Sequence, residues 1–327
     1  MDAFILALFH HSDKLRPSTI YQILYGKRTS SVLSYAFFYD RLGYFQAMPN
    51  LEEDEFNKRI TALIAAKQLV ADEKGFLQTV APAALTEVET LCRHLNYFQF
   101  GRRGEQMWRL VQLLVQAAAF QGISNRYIPV ENTPMFTEPV RQLIRQHPKL
   151  KQALFTELWT VFEQIPGEFA DFLAGTLTGP EQIGQTFFQL LPDNYQKMPW
   201  NQFFPAAAIH CFLSAAKKQS PLLAAGLKPF YQENLNQSML KTRRLFLSGK
   251  SIEEIMELRQ IKRGTVNDHL IEWAIIDDQF PYHYFATKQQ FPPLSWKLPY
   301  HILQKEVPLD FLSIRINQIA QKRGILC

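Results

Sequence analysis

Along most of this chain the apolar positions recur at intervals of three and four, the period of amphipathic helices rather than strands. Near the N-terminus the pattern runs through STIYQILY (18–25), SSVLSYAFFYDRL (30–42) and LEEDEFNKRITALIAAKQ (51–68). Ser18, then Ser30 or Ser31, are placed to cap the first two segments, and Asn50 the third. Acids crowd the start of the third, where the helix dipole favours negative charge. LVADEKGFLQTV (69–80) changes period: two short β-like runs flank Asp-Glu-Lys-Gly, a hairpin signal. Three helices followed by a hairpin is the order of a winged helix, so residues 1–82 are expected to form a winged-helix-like unit. Its use as a DNA module is disfavoured, because LEEDE on the helix before the hairpin would carry carboxylates towards phosphate. Packing or protein contact is the better expectation for it.

The helical period then dominates residues 83–235. TEVETLCRHLNYF, EQMWRLVQLLVQAAAF, TEPVRQLIRQH, LKQALFTELWTVFEQI, PEQIGQTFFQLL and FFPAAAIHCFLSAAKK each carry an apolar stripe. Prolines, among them Pro134, Pro166, Pro180, Pro205 and Pro221, are read as breaks between them. A helical bundle domain is expected. Residues 236–327 make a third domain: two short helices, a connector rich in Pro and aromatics, and a last helix in VPLDFLSIRINQIAQKRG that stops at Lys-Arg-Gly. The fold class is therefore all-α, mainly helical, with a small β-hairpin wing.

Composition narrows the picture slightly. The 327 residues include 26 Phe but only 14 Gly, which suits aromatic packing between helices. Lys and Arg number 35 against 30 Asp and Glu, a net charge of +5 that permits a polyanionic partner without requiring one. Cys92, Cys211 and Cys327 are far apart and odd in number, which indicates neither a disulfide framework nor a zinc site and fits a reducing compartment. MDAFILALFHH lacks a basic leader and a small-residue cleavage site. No stretch approaches the roughly 18 uncharged apolar residues of a membrane span. A soluble cytoplasmic protein is expected.

The candidate chemistry lies in GKSIEEIMELRQIKRGTVNDHL, Gly249 to Leu270. Gly249 can end a preceding helix in the left-handed conformation. Ser251 and Glu254 make a capping box. Ile252, Ile255 and Leu258 are placed to clamp the helix, and Ile261 to point inward at the corner. Leu270, Trp273 and Ala274 continue the stripe of the second helix. This is the spacing of a helix-turn-helix, in which the second helix can present its polar residues to a DNA groove. Lys262, Arg263, Thr265, Asn267 and His269 would then face DNA, with Lys241, Arg243, Arg244 and Lys250 reaching phosphates. Asn can read adenine and Arg guanine, while phosphate contacts set affinity. Asp268 works against DNA unless it points away.

The residues Gly249, Ser251, Ile252, Glu253, Glu254, Ile255, Arg259, Thr265, His269 and Leu270 resemble the helicase-associated helix-turn-helix at the C-terminus of some RecQ-type helicases. They also resemble the helix-turn-helix of response-regulator transcription factors. The layout of a long helical region before this module, and the closing LDFLSIRINQIA, resemble the YpbB-type bacterial proteins. That resemblance implies a non-enzymatic DNA-binding accessory protein acting on duplex or forked DNA, with a RecQ-type helicase as partner in DNA replication, recombination or repair. A transcription regulator, or an adaptor that docks on the helicase without touching DNA, are the alternatives. The chain departs from the usual pattern at Gln260, where a left-handed residue would cost about 1 kcal/mol, and at Lys262, where a capping Ser is frequent.

Other features point to little chemistry. GRRGEQMWR (101–109) is not a P-loop and reads as a solvated loop. His210, beside Cys211 in an apolar helix, reads as a satisfied core histidine. Tyr282, Tyr284, Phe285 and Trp296 could stack on single-stranded bases, but packing of the connector is the simpler expectation. No catalytic residue, metal ligand or cofactor site nominates itself.

Overall fold

A computed structural model describes residues 1–10, 15–80, 86–123 and 127–325. Helices α1 (Asp2–Leu8), α2 (Pro17–Tyr25), α3 (Ser30–Phe38) and α4 (Glu53–Ala65) precede a hairpin of β1 (Leu69–Ala71) and β2 (Leu77–Thr79). Then come α5 (Thr86–Cys92), α6 (Tyr97–Phe100), α7 (Gly104–Phe120), α8 (Pro134–Gln146), α9 (Leu150–Glu163), α10 (Gly167–Ala174), α11 (Phe187–Leu190), α12 (Trp200–Gln219) and α13 (Pro221–Asn234). The chain continues through α14 (Gln237–Leu247), α15 (Ile252–Arg259), α16 (Arg263–Ile276), α17 (Tyr300–Glu306) and α18 (Phe311–Lys322). The chain is mostly helical, and the hairpin is the sole sheet among the described residues.

The expected boundaries at 82/83 and 235/236 regroup in the structure. One compact unit comprises residues 1–10 and 79–234; the other comprises 11–78 and 235–327. The second half of α16, IEWAII (271–276), explains the regrouping. Its residues 271–275 are buried on every face, Glu272 among them, so it needs cover on more sides than α14 and α15 can supply. Helices α3 and α18 supply the rest. The N-terminal helices and the C-terminal domain therefore share one core, in which Leu33, Ala36, Trp273, Ile314 and Ile319 are all buried. Helix α1 behaves differently: FILALF packs on α5 in the other unit, and Phe4 meets Phe203 with ring centroids 4.8 Å apart.

In that other unit α12 is the central element, with α5, α7, α9, α10 and α13 around it. Its apolar residues point in all directions, as a helix enclosed on every side requires. Trp108 packs edge-on to Phe212 at 5.0 Å and donates its indole N–H to Thr176 Oγ1 at 3.0 Å. Pro205, read as a break, lies inside α12, whereas Pro134 and Pro221 open their helices at the first turn. PEQIGQTFFQLL is helical only in α11. Gly184 lies so close to the Thr176 carbonyl that a Cβ would clash with it, and the Gln185 N–H donates to the Gly175 carbonyl at 2.9 Å. The segment folds back on the end of α10 instead of continuing as helix.

The hairpin forms as expected. Asp72 Oδ1 accepts the N–H groups of Lys74 and Phe76 at 3.0 and 2.9 Å, and Gly75 takes φ +74°. Leu15 pairs with Leu77 on the far edge. The caps shift from their expected places: Thr29 rather than Ser30 or Ser31 caps α3, Pro17 opens α2, and Glu52 precedes α4 without a side-chain cap.

Candidate nucleic-acid interface

Helices α14, α15 and α16 form the expected tri-helical frame, and the local sequence accounts for it. The Ser251 hydroxyl accepts the Glu254 N–H at 3.1 Å, while Glu254 accepts the Ser251 N–H at 2.8 Å, completing the capping box. Gly249 has φ +85° just beyond α14. Gln260 ends α15 in the left-handed region at φ 51°, ψ 46°, and Lys262 precedes α16 with no side-chain cap.

The clamp face of α15 is Ile252, Ile255, Met256 and Arg259, an i, i+3, i+4, i+7 pattern. Leu258 is not part of it; it is 62% exposed, because Arg259 takes the inner position. The Arg259 guanidinium donates to Ser238 Oγ at 2.8 Å and to Thr242 Oγ1. Thr242 lies 2.9 Å from His269 Nδ1, so its hydroxyl donates to a neutral imidazole. Burial, then the Arg259 charge, push the His269 pKa down to about 4, against a smaller opposing effect of Asp268. This buried chain of polar groups ties all three helices together. Sequence reasoning missed it: Arg259 and Thr242 carry no local signal of their pairing.

The predicted DNA residues divide accordingly. His269 is buried and turned to α14, so it does not face solvent. Arg243 pairs with Asp277 at 2.9 Å and lies 5.3 Å from the Trp273 ring centroid, which makes it a packed cation rather than a free phosphate arm. Asn267 is half-buried, and its Oδ1 is enclosed without a hydrogen-bond partner among the described residues. Bidentate reading of adenine needs both ends of that amide at the surface. Lys262, Arg263 and Thr265 are exposed on the first turn of α16, and Lys241 and Arg244 are exposed on α14. Arg263 bridges to Glu253 at 2.6 Å and Lys250 to Glu254 at 2.9 Å, both at the surface, where such pairs are weak and exchangeable. Asp268 is also exposed. What the frame presents is the N-terminal end of α16, its dipole uncapped by a side chain and flanked by cations.

The other candidates resolve into packing. His210 is buried and its Nδ1 accepts the Asn96 N–H at 2.9 Å; burial pushes its pKa down to about 3. The Arg102 and Arg103 N–H groups both donate to Asn234 Oδ1 at 3.1 Å. Tyr282 donates to the Ala274 carbonyl at 3.1 Å, and Phe285 stacks on Phe246. Cys92 is buried and its thiol is pushed up to about 12. No helix among the described residues is long and apolar enough to cross a membrane.

Three short helices locked by a capping box, a left-handed turn and a shared core define a helix-turn-helix domain, and residues 238–294 match the family model described as a helix-turn-helix domain. Over 276 residues the chain is 24% identical to the protein YpbB of Bacillus subtilis (strain 168), an alignment covering 80% of this chain and 78% of that protein. No solved structure matches the chain.

Proposed function

We propose that this protein is a non-enzymatic DNA-binding accessory factor that holds the phosphate backbone at the N-terminal end of α16. The observation that carries this reading is the exposed first turn of α16, where Lys262, Arg263 and Thr265 surround a helix N-terminus on a rigid frame. Residues 269–275 are buried, so the helix has little side surface to lay along a major groove. The arrangement therefore favours sequence-independent contact over operator reading. We place α2–α4 and the hairpin as a winged-helix-like element used for packing, consistent with the exposed acids Glu53, Asp54 and Glu55 on α4. The resemblance to RecQ-associated modules supplies the remaining part: action beside a RecQ-type helicase on duplex or forked DNA in the cytoplasm.

The test is binding to single-stranded, duplex and forked DNA across a salt series, with Lys262→Ala/Arg263→Ala beside the wild type. Loss of two phosphate contacts should flatten the log–log salt slope by about 2 and weaken binding roughly tenfold at moderate salt. Absence of wild-type binding to all three at low salt sinks the reading. One observation favours the adaptor alternative: Leu247 and Leu258 are 59% and 62% exposed on the helix-turn-helix itself. A helicase complex that survives high salt and is lost in Leu247→Ser/Leu258→Ser, without DNA binding, would select it.

A further inference from the structure

The unit containing the helix-turn-helix also holds a cleft of about 710 Å³, bounded by α2, α3, the segment leading into α17, and α18. Its size lies within the range of small-molecule sites. Its chemistry is one-sided: Arg16, Lys297 and Arg315 line it, and no Asp or Glu does. Arg315 pairs with no carboxylate among the described residues. Its guanidinium lies between Phe38 and Phe311, at 6.0 and 5.5 Å from their ring centroids, and Nη1 donates to Gln318 at 2.8 Å. Burial lowers its pKa, the sign of a cation short of a counter-ion.

Two lining groups are also orphaned. Arg315 Nε and Ser34 Oγ are buried without a hydrogen-bond partner among the described residues, and Ser34 is only 2% exposed. Such groups are uncommon in a native interior and call for an acceptor or a ligand. The wall also carries aromatic rings, Tyr35, Phe38, Trp296 and Tyr300 among them, beside polar and aliphatic residues such as Gln22, Val32 and His301. The Tyr35 hydroxyl accepts the Arg16 N–H at 2.9 Å, which leaves its own proton to donate. Burial raises its pKa to about 12, so it stays neutral.

We propose that this cleft binds an unpaired nucleotide, its base among Tyr35, Phe38, Trp296 and Tyr300 and its phosphate towards Arg16 and Arg315. Cations alone would suit any anion and aromatics alone any planar ring; both together, with no carboxylate, suit a nucleotide. The nucleotide could be free or the end of a single strand; the chemistry is shared. The site is separate from α16 and does not rest on its DNA reading.

The experiment is calorimetric titration of the full chain with deoxyadenosine monophosphate, a short oligothymidylate, deoxyadenosine and inorganic phosphate. Wild type is compared with Arg315→Gln, Arg16→Ala, Tyr300→Leu and Lys262→Ala/Arg263→Ala, with circular dichroism reporting folding. Arg16 is exposed, so its variant keeps the test open if Arg315→Gln unfolds. The proposal expects saturable mononucleotide binding that Arg16→Ala and Tyr300→Leu each weaken roughly tenfold and that persists in the α16 double variant. Binding of the mononucleotide supports a free ligand; oligonucleotide binding alone supports a strand end where it persists in the α16 double variant and is lost with Tyr300→Leu. Phosphate binding as tightly as the mononucleotide, deoxyadenosine binding equally well, or no binding by any probe overturns it.

Discussion

A histidine on the second helix of a helix-turn-helix is suited to a phosphate or a purine edge, yet His269 meets neither because α14 lies over it. The wheel of α16 places it at the border between polar and apolar faces, and the sequence does not say how far α14 reaches round. Thr242 and Arg259 decide that, seventeen positions apart and on different helices. The consequence is a pH dependence. The folded imidazole titrates at about 4, and the unfolded one near 6.5. Between those values the unfolded chain binds more protons, so the stabilisation is complete above about pH 6.5 and is lost as pH falls towards 4. His210, titrating at about 3, adds the same sign in the other unit. Urea unfolding should show each unit weaker by about 2 kcal/mol at pH 5 than at pH 7, and His269→Asn should flatten that difference for its own unit alone.

At the scale of elements, most helices were legible because a 3.6-residue stripe survives any tertiary context. What was not legible depended on partners far along the chain. PEQIGQTFFQLL has a helical stripe, but Gly184 is drawn against Thr176 and the segment turns back. Leu258 fits a clamp by spacing, but Arg259 has two hydroxyl partners waiting on α14 and displaces it. The turn between α15 and α16 keeps the usual shape despite the departure in sequence: Gln260 occupies the left-handed position in which a Gln was expected to be costly. Gln260→Gly should relieve that strain and stabilise the unit by about 1 kcal/mol, visible as a rise in urea midpoint with an unchanged m-value. A fall would mean that the Gln260 side chain makes contacts outweighing its backbone strain.

Over the whole molecule, the sequence suggested three successive domains, and contacts instead draw residues 11–78 and 235–327 together. No local pattern announces that, although Glu272 hints at it: a carboxylate amid IEWAII needs a distant partner. Arg28 provides it, its Nε donating to Glu272 at 2.8 Å, and Asn236 donates to the second oxygen at 2.8 Å. Glu272 is only 3% exposed. Removing one member of a buried pair typically costs about 3–5 kcal/mol, because the other charge is stranded. Arg28→Met should therefore lower the melting temperature of this unit sharply, whereas Arg28→Met/Glu272→Leu should recover much of it. Equal melting of the single and double variants would count against the pair.

The shared core also sets an order of manufacture. A ribosome releases α2, α3 and α4 early, then makes residues 79–234 before α16 and α18 exist to cover α3. The unit of residues 1–10 and 79–234 can close first, while the apolar side of α3 waits in solvent for helices still unwritten. A message cut short after α13 would leave that half-built neighbour attached to an intact unit, a standing invitation to chaperones and proteases. Conversely, residues 236–327 expressed alone would carry a helix-turn-helix whose second helix lacks one of its walls.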